Sequence, residues 1–524
     1  MNGRLRFHFV LALLLAFAIT AYSHPKIKKV QKRLLNLDKT LTILEPATSK
    51  LPIVNKGIPP LSSLLENIKS ARAEVLYVGA LGYIASVEHY MASSSALPSC
   101  VFRPAITNDV VLALQIIDQE RIEFSVNSGK HTGNPGFSST KGGLQIDMRR
   151  FSQVTLSQDR TYVDIGPGNV WDNVYAVLQG TGRMVKGGRV SGVGVGGLMT
   201  GGGGYSFFTQ KYGMATDSLI SIDIVLPNAT HVTTSAESDP DLFWAVKGGG
   251  NQFGIVTNFR VKTFAVPSVV WGGTRLYTGH EEDFKQYTLN IAQNLTDRNA
   301  SASIEFIYYA KTPIFAIQAY YDDAESPAGT FDSGLPPKAL LQPLLDTWGP
   351  NNMKDIVTSS PSNLTIGLRG CFNVASLHYY SKTILDVAIN EIDKLNADLL
   401  HSGFYFHVAI EPAGHNYGAY ADPTNSSPFP YYKSPQSLLF YFGWVSELDD
   451  EFYFQAIKNA VQLVEDQARS EGQNVDNLEV YPNYSIFDTP PEKLFGDTNL
   501  ARLQEIKKKY DPNGIMRLTT SFAF

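Results

Sequence analysis

The sequence predicts an α+β fold divided into two lobes. In the first half of the chain, short apolar strands alternate with helices, and three glycine-rich blocks lie between them, at 125–139, 187–204 and 241–257. In the second half, strands with aromatic residues at alternate positions are separated by long helical segments, which favours an antiparallel sheet covered on one face by helices. With 524 residues, 44% of them apolar and 18% charged, the chain can bury cores in more than one lobe.

The first 23 residues are typical of a secretory signal peptide. Arg4 and Arg6 precede the apolar run 9–19, and the small residues Ala21 and Ser23 stand at the spacing of a cleavage site. That run is too short to span a bilayer comfortably, and no later segment has the length of a membrane helix. We therefore expect a soluble, extracellular protein with no membrane span.

Glycosylation sequons agree with secretion and predict a glycoprotein. They occur at Asn228, Asn294, Asn299, Asn363 and Asn425. The net charge of −5, without a long basic run, excludes the electrostatic surface that nucleic acids require. Two cysteines, Cys100 and Cys371, could bridge or remain buried thiols, and neither has the spacing of a metal site.

Helical and strand patterns suggest how the lobes are built. Residues 24–98 carry helical periodicity, including 61–75, and would form an N-terminal cap and the start of the first domain, which occupies 99–265. The second domain, 266–476, has predicted strands at 269–276, 301–310, 314–321, 405–410 and 438–445. Helices are predicted at 108–120, 171–179, 281–295, 381–399 and 449–472.

The first glycine-rich block places a single histidine, His131, among small residues. Such residues let backbone N–H groups approach an anionic ligand, so the loop is typical of a phosphate cradle. A neutral imidazole in that cradle is also a nucleophile that could bond the ligand covalently. The alternative is a loop histidine that only bonds its own turn.

The second block contains a formal GxGxxG at 192–197, with Asp217 about where a ribose-binding acid would be sought. A dinucleotide-binding turn needs a strand before the motif and a helix after it. Here Lys186 to Arg189 come before and Gly201 to Gly204 follow, and we expect no helix to begin in that run. Close packing of backbone against a flat ring suits the block better.

The ordered set of motifs resembles FAD-linked oxidases with a flavin-binding domain of the vanillyl-alcohol-oxidase (PCMH) type, and among them the berberine-bridge-enzyme-like family. The family patterns SGGH, GGFSS, VGVGG with GGGYG, YGLAxDN and DLFWALRGGGGNFGIVT appear here as SGKH, PGFSS, VGVGG with GGGGYS, YGMATDS and DLFWAVKGGGNQFGIVT. The resemblance implies FAD as cofactor, an FAD-binding domain that is itself two-lobed, and an antiparallel-sheet substrate domain whose aromatic sheet face lies against the flavin. It also implies that 477–524 returns to the FAD-binding domain.

The resemblance assigns cofactor contacts to residues in each matched motif. They are His131, Ser128, Gly129, Lys130, Thr132, Gly133, Phe137, Ser138, Val193, Gly196, Gly197, Gly202, Gly203, Gly254, Ile255, Val256 and Asn483. Two positions depart from the family. Lys130 replaces a glycine and could pair with a flavin phosphate or point to solvent, and Val190 replaces the second flavin-bonding cysteine. We therefore expect one covalent link, through His131.

A base must remove a proton from the substrate hydroxyl while hydride leaves for the flavin. The resemblance places Tyr484 of the YxNY motif there, with Tyr481 close by, although a tyrosine with its usual pKa of about 10 must be stabilised as phenolate. The alternative for Tyr484 is packing on the flavin edge. Glu411 could act as the base directly, although a solvated strand end is its more common environment. Tyr309, His407 and Tyr441 are unranked candidates for substrate contacts.

Val193 favours reaction with oxygen, because the family carries a valine there in oxidases and a bulkier residue in enzymes that exclude oxygen. The sequence thus predicts a secreted FAD-dependent oxidase that acts on an alcohol group of a sugar, an oligosaccharide or a small secondary metabolite and releases H2O2. Two alternatives stay open. One is a flavin dehydrogenase or oxidative-cyclisation enzyme, and the other is a secreted carbohydrate-binding protein without turnover.

Overall fold

The computed structural model describes residues 72–336, 341–360, 362–412, 417–420 and 427–524. The predicted signal peptide, most of the predicted N-terminal cap and the sequon at Asn425 lie outside these residues. Asn228 and Asn294 are exposed. Within the described ranges, no helix combines the length and the apolar character that crossing a membrane requires.

The first lobe begins with a small sheet of four strands. They are β1 (Glu74–Leu76), β2 (Cys100–Arg103), β3 (Phe124–Asn127) and β4 (Leu144–Asp147), in the order β1-β2-β4-β3. β1 pairs antiparallel with β2. The helical segment predicted at 61–75 is therefore wrong at its C-terminal end, because residues 74 and 75 belong to β1. β2 and β3 both run parallel to β4.

Two helices belong to this sheet, α1 (Tyr83–Val87) and α2 (Thr107–Glu120). α2 buries an apolar stripe at the i, i+3, i+4, i+7 spacing that predicted it, formed by Val110, Ala113, Leu114 and Ile117.

The second sheet of the first lobe is fully antiparallel. The strands of this region are β5 (Val154–Leu156), β6 (Tyr162–Ile165), β7 (Arg183–Met184), β8 (Leu219–Val225), β9 (His231–Ser235), β10 (Ile255–Lys262) and β11 (Phe264–Ala265). The sheet has the order β5-β6-β10-β8-β9, and β7 pairs separately with β11. Helices of the region are α3 (Trp171–Leu178), α4 (Val195–Thr200), α5 (Thr209–Tyr212) and α6 (Pro240–Val246).

Helix α4 differs from the prediction for the second glycine-rich block. It begins at Val195, inside the formal GxGxxG motif, and ends where the run of four glycines starts at Gly201. The glycine run itself is not helical, as its low helix propensity predicts.

The second lobe is one eight-stranded sheet. Its strands are β12 (Val270–Tyr277), β13 (Ala300–Tyr309), β14 (Thr312–Tyr321), β15 (Leu345–Asp346), β16 (Gly349–Asn351), β17 (Arg369–Leu377), β18 (Gly403–Glu411) and β19 (Gln436–Trp444). The order is β15-β12-β14-β13-β18-β19-β17, with β16 also on β12. All five predicted strands are confirmed within a few residues, and β15, β16 and β17 were missed.

Long helices cover one face of this sheet, as predicted. The helices of the second lobe are α7 (Glu281–Asn294), α8 (Met353–Ser359), α9 (Lys382–Ala397) and α10 (Asp450–Ser470). α7, α9 and α10 share one core cluster with the alternate strand residues Phe306, Phe406 and Phe440. On the other face, Tyr320 and Val374 belong to the core of the first lobe, so that face is turned towards the glycine-rich loops.

The C-terminal segment packs on the first lobe. Helix α11 (Pro491–Tyr510), kinked at Gly496, contributes Leu494, Phe495 and Leu503 to the core of that lobe. The two cysteines are separate buried thiols, Cys100 in β2 and Cys371 in β17, and burial raises the pKa of Cys100 to about 12. The α+β class with two lobes is thus confirmed.

Candidate active site

The three glycine-rich blocks meet through direct backbone contact. A Cβ on Gly129 would lie 2.3 Å from the Gly194 Cα, which joins the first block to the second. The third block joins them because a Cβ on Gly248 would lie 3.2 Å from the Gly202 Cα, and the Gly250 N–H donates to the Thr200 carbonyl. Side chains are excluded from these crossings, so the sequence needs glycine there.

Left-handed backbone explains two further glycines of the cradle, and one lysine has the same conformation. Gly203 and Gly254 have φ of 142° and 135°, values that side chains disfavour. Lys130 has φ of 58° where the resembled family has glycine. Its ammonium donates to the Ala85 carbonyl, an arrangement that neither sequence expectation for Lys130 included.

His131 lies between two aromatic rings. Its ring stacks on Tyr90, with centroids 4.2 Å apart, and is parallel to Phe372 at 6.4 Å. Burial lowers the pKa of His131 to about 4, so the imidazole is neutral near pH 7. Its Nε2 is buried and has no hydrogen-bond partner within the described residues. His131 also bonds its own backbone, as the alternative from the sequence expects, but that contact leaves Nε2 without a partner among the described residues.

The other predicted cradle residues divide into two groups. Ser128 is part of the crossing, because its hydroxyl donates to the Pro167 carbonyl and accepts from the Gly196 N–H at 3.3 Å. Phe137 and Ser138 have protein partners instead: Phe137 packs edge-on against Phe522, and Ser138 bonds His89 at 2.7 Å.

Remaining members lie within or next to the loops. The Thr132 carbonyl accepts from Ser94, and a Cβ on Gly133 would clash with Met91. Val193, next to Gly194, is half-buried. Gly197 is exposed. Ile255 and Val256 begin β10 opposite Val225 and Ile224.

The cradle fits the cofactor that the resemblance implies. Bare backbone and left-handed turns leave N–H groups accessible to a diphosphate, and a neutral histidine with an unpaired buried nitrogen stands at the crossing of the loops. The residues that would hold FAD are therefore those of the three glycine-rich blocks, with His131 at the flavin.

A buried ion pair and a tyrosine lie next to the second block. The Arg189 Nη2 donates to the Glu411 Oε1 at 2.6 Å and to the Tyr484 hydroxyl at 3.2 Å. The Tyr484 hydroxyl in turn lies 3.1 and 3.2 Å from the two Glu411 oxygens. Glu411 is only 6% exposed, so the expectation of a solvated strand end is wrong. Its strand position on the face turned to the first lobe explains the burial.

Tyr484 itself is a weak base in this setting. Burial, and next the negative charge of Glu411, raise the pKa of Tyr484 well above its usual value. The phenolate that the sequence interpretation required is thus disfavoured, although Arg189 opposes the shift. The carboxylate of Glu411 is the better proton acceptor of the two.

The rest of the YxNY motif anchors the C-terminal segment to the second block. The Asn483 amide donates to the Leu198 carbonyl at 3.2 Å and to the Tyr481 hydroxyl at 2.9 Å. A Cβ on Gly201 would lie 1.9 Å from the Asn483 Oδ1, so glycine is required there. Tyr481 is buried and packs edge-on against Tyr484, with centroids 4.9 Å apart. Tyr481 thus positions Tyr484.

Sequence reasoning missed three residues of this site. Arg189 had a signal, because it is the one charged residue inside the second glycine-rich block, 187–204, but it was noted only as an argument against a dinucleotide fold. Glu305 also had a signal that was overlooked, because it is the single carboxylate of strand β13, which is otherwise free of charge. Tyr90 had no signal, because its contact with His131 depends on the tertiary fold.

The crossing of the first two blocks gives a direct test. We expect Gly129→Ala to lower the flavin content of the purified protein severalfold, because the added methyl group meets the backbone of Gly194. Gln115→Ala, at an exposed position of helix α2 outside the glycine-rich blocks, is the control and should leave flavin content and stability unchanged. Flavin absorbance per polypeptide and the melting temperature measure both effects. Equal flavin loading in the two variants would contradict the crossing.

Comparisons with known proteins agree with this geometry. The sequence profile of the family described as FAD binding domain matches residues 98–235, and that described as berberine and berberine like matches 480–521. An FAD-dependent monooxygenase of Aspergillus calidoustus is 27% identical over 461 residues, covering 85% of this chain and 86% of that protein.

Solved structures share the fold. BBE-like 1 of Physcomitrella patens superposes with a TM-score of 0.73 at 20% identity, covering 89% of this chain and 99% of that one. Glucooligosaccharide oxidase from Acremonium strictum, described as carrying a 6-S-cysteinyl, 8α-N1-histidyl FAD, gives 0.70 at 20% identity, with 88% and 98% covered. The matched profiles cover the first two glycine-rich blocks and the YxNY segment, two parts of the site. The chain is therefore an FAD-dependent oxidoreductase that is similar, in these two segments, to the FAD binding domain and the berberine and berberine like families.

Proposed function

We propose that this enzyme is an oxidase that removes hydride from an alcohol group of a sugar, an oligosaccharide or a small secondary metabolite and returns the electrons to O2 as H2O2. The observation that carries the proposal is the Arg189–Glu411–Tyr484 cluster beside the glycine-rich cradle. An alcohol can lose hydride only if a base takes its hydroxyl proton, and this cluster supplies the base.

The cluster provides a path for that proton. The substrate hydroxyl donates to the Tyr484 oxygen while the Tyr484 proton moves to Glu411, 3.1 Å away. Arg189 holds both oxygens in place and balances the carboxylate charge. When bound, FAD accepts the hydride.

A single covalent link through His131 is part of the proposal. Support comes from the neutral imidazole and its unpaired Nε2. Val190 has no sulfur to make the second link that the description of the Acremonium strictum enzyme names. Flavin absorbance should remain with the polypeptide after acid precipitation.

Replacing His131 with alanine tests the link. We expect the acid-precipitated variant to be colourless, whereas His231→Ala, which changes an exposed histidine of β9, should keep the colour. Colour retained by the His131 variant would overturn the assignment, and so would wild-type protein that loses its flavin in acid.

The relatives support a second candidate reaction, because the Aspergillus calidoustus protein is described as a monooxygenase. A monooxygenase incorporates oxygen into its product, whereas the proposed oxidase releases one H2O2 per alcohol oxidised. Half-buried Val193 leaves space for oxygen in either case. Peroxide release and incorporation of ¹⁸O from ¹⁸O2, measured with a panel of alcohols and sugars, separate the two, and slow reoxidation in air would indicate a dehydrogenase.

We also propose that the protein is secreted as a glycoprotein. The basic and apolar pattern of residues 1–23 and the exposed sequons Asn228 and Asn294 support this. Expression in a eukaryotic host should give protein in the medium that begins near residue 24 and loses mass on treatment with a glycosidase.

A further inference from the structure

A serine-rich segment runs behind the loop that carries His131. Residues 89–95, which we call the backing segment, lie between helix α1 and strand β2. They precede the first of the two regions that the family profiles match, 98–235 and 480–521. No matched motif therefore assigns this segment a role.

The backing segment holds the first glycine-rich block on both sides of His131. The Tyr90 N–H donates to the Lys130 carbonyl at 2.9 Å. The Ser94 hydroxyl donates to the Thr132 carbonyl at 2.7 Å. The backbone immediately before and after His131 is therefore bonded to this segment.

The same segment is bonded to the second lobe. The Ser93 hydroxyl donates to the Gly370 carbonyl at 2.6 Å and accepts from the Gly370 N–H at 2.9 Å, near the start of β17. The Ala92 N–H donates to the Leu368 carbonyl at 2.8 Å. The position of His131 thus depends on the second lobe as well as on the glycine-rich blocks.

Tyr90 contacts the imidazole of His131 directly. Its ring stacks on the imidazole, with centroids 4.2 Å apart and planes inclined by 14°. The far end of the Tyr90 side chain is anchored, because its hydroxyl donates to the Ser362 carbonyl at 2.8 Å and bonds the Thr365 hydroxyl. An aromatic ring that is held at both ends limits rotation of the imidazole that it contacts.

The second glycine-rich block bounds the imidazole at its edge. A Cβ on Gly192 would lie 3.9 Å from the His131 Cδ2, so the backbone of this block passes close to the ring. Asp172 holds that backbone, since it accepts from the Gly192 N–H at 2.9 Å and from the Ser191 hydroxyl at 2.6 Å. The imidazole therefore lies between a fixed ring and a fixed backbone turn.

Orientation matters because a covalent link needs the imidazole nitrogen to meet one carbon of the flavin. Reacting atoms must approach to about 3–3.5 Å in the right direction, and an error of about 1 Å can slow a reaction by about a hundredfold. Joining the imidazole to a methyl group of the flavin removes one hydrogen from each, and O2 takes both hydrogens with two electrons as H2O2. Alignment of the imidazole is what the chain contributes to this exchange.

We propose that Tyr90 is a positioning residue for the covalent flavin link, because its stacked ring holds the His131 imidazole in the orientation that joins the flavin. The backing segment in turn holds Tyr90 and the backbone of His131 against both lobes. The inference rests on the proposed function and names the residue that makes its single link efficient.

The ratio of acid-precipitated flavin to total flavin in the purified enzyme tests the role of Tyr90 separately from cofactor binding. After incubation with excess FAD in air, we expect Tyr90→Leu to lower this ratio at least about threefold, because the imidazole is no longer aligned. Total flavin per polypeptide should stay near the wild-type level, since the glycine-rich crossings are unchanged. Tyr90→Phe keeps the stacked ring and should keep the wild-type ratio.

Two further variants complete the test. Tyr379→Leu, which changes a tyrosine that is 48% exposed, is the matched control and should keep the wild-type ratio. Tyr90→Met removes the ring with a flexible apolar side chain that fills irregular spaces, so it decides the question if the leucine variant does not fold. A wild-type ratio in the Leu and Met variants would overturn the proposal, even if their melting temperatures fell, because Tyr90 would then have a structural role only. An equal loss in Tyr90→Phe would also overturn it, since the hydroxyl would then carry the effect.

The wild-type enzyme separates this inference from the proposed function. If wild-type protein releases all of its flavin in acid, the proposed covalent link is overturned and the role of Tyr90 with it. If the wild-type protein keeps its flavin in acid and the two ring-deleted variants keep it equally well, the link stands and only the role of Tyr90 is overturned.

Discussion

Replacing Arg189 with methionine is expected to destabilise the folded enzyme by about 3–5 kcal/mol. Arg189 and Glu411 are 9% and 6% exposed, and their shortest contact is 2.6 Å. Without the guanidinium, the buried carboxylate of Glu411 keeps the Tyr484 hydroxyl as a donor but loses its counter-charge. The free energy of unfolding, from urea titrations at equal flavin loading, measures the loss.

A double variant separates loss of the pair from loss of packing. Replacing both residues, as Arg189→Met with Glu411→Leu, removes the unpaired charge, so most of the lost stability should return. The exposed pair Arg121–Asp118 is the control, and Arg121→Met should cost less than about 1 kcal/mol. A loss below 1 kcal/mol for Arg189→Met, or no recovery in the double variant, would show that the pair does not carry a buried charge.

The extent of sequence-based prediction can be seen at the strands of the second lobe. β13, β14, β18 and β19 are runs of nine or ten residues rich in aromatic and aliphatic side chains, so each was legible as a strand in the sequence. β17, with the sequence RGCFNVASL, mixes small, polar and apolar residues, and its pairing with β19 defines it instead. Local composition predicted the four aromatic-rich strands, and tertiary pairing decided β17.

The site shows the same division. The glycines of the three blocks were predictable because only glycine permits Gly129 and Gly194 to cross, and a lone histidine among them stood out. The pairing of Arg189 with Glu411 was not predictable, because the two residues are 222 positions apart in the sequence. Sequence reasoning had treated each side chain by its local surroundings, so Glu411 was a candidate base whose more common environment was taken to be solvent, and Tyr484 was required to be a phenolate.

Once these long-range contacts are known, the roles of the two residues change. Burial and the neighbouring carboxylate raise the pKa of Tyr484. Its hydroxyl therefore gives a proton to Glu411 readily only when it receives a second proton in exchange. Tyr484 is then a relay between the substrate and Glu411, and Tyr481 and Asn483 hold it against the second glycine-rich block. Binding of the cofactor and handling of the proton are thus linked through the C-terminal segment.

Replacing Glu411 with glutamine is therefore expected to slow reduction of the flavin by about 10²–10⁴-fold at saturating substrate. Glutamine keeps the size of the side chain and can still bond Tyr484, but it cannot accept the proton. Flavin content should stay at the wild-type level, because Glu411 lies on the sheet of the second lobe and outside the glycine-rich cradle. Anaerobic stopped-flow absorbance at the flavin band measures the rate.

Tyr484→Phe is the comparison that distinguishes a relay from a direct base. It removes the hydroxyl that connects the substrate to Glu411 and preserves the ring that packs against Tyr481, so we expect a smaller slowing, of about 10–100-fold, because the carboxylate can still accept a proton through a water molecule. If Tyr484 were the base itself, the order would reverse: Tyr484→Phe would show the larger loss and Glu411→Gln the smaller. Unchanged reduction in both variants would remove the cluster from the reaction and leave the alcohol proton with a group elsewhere in the site.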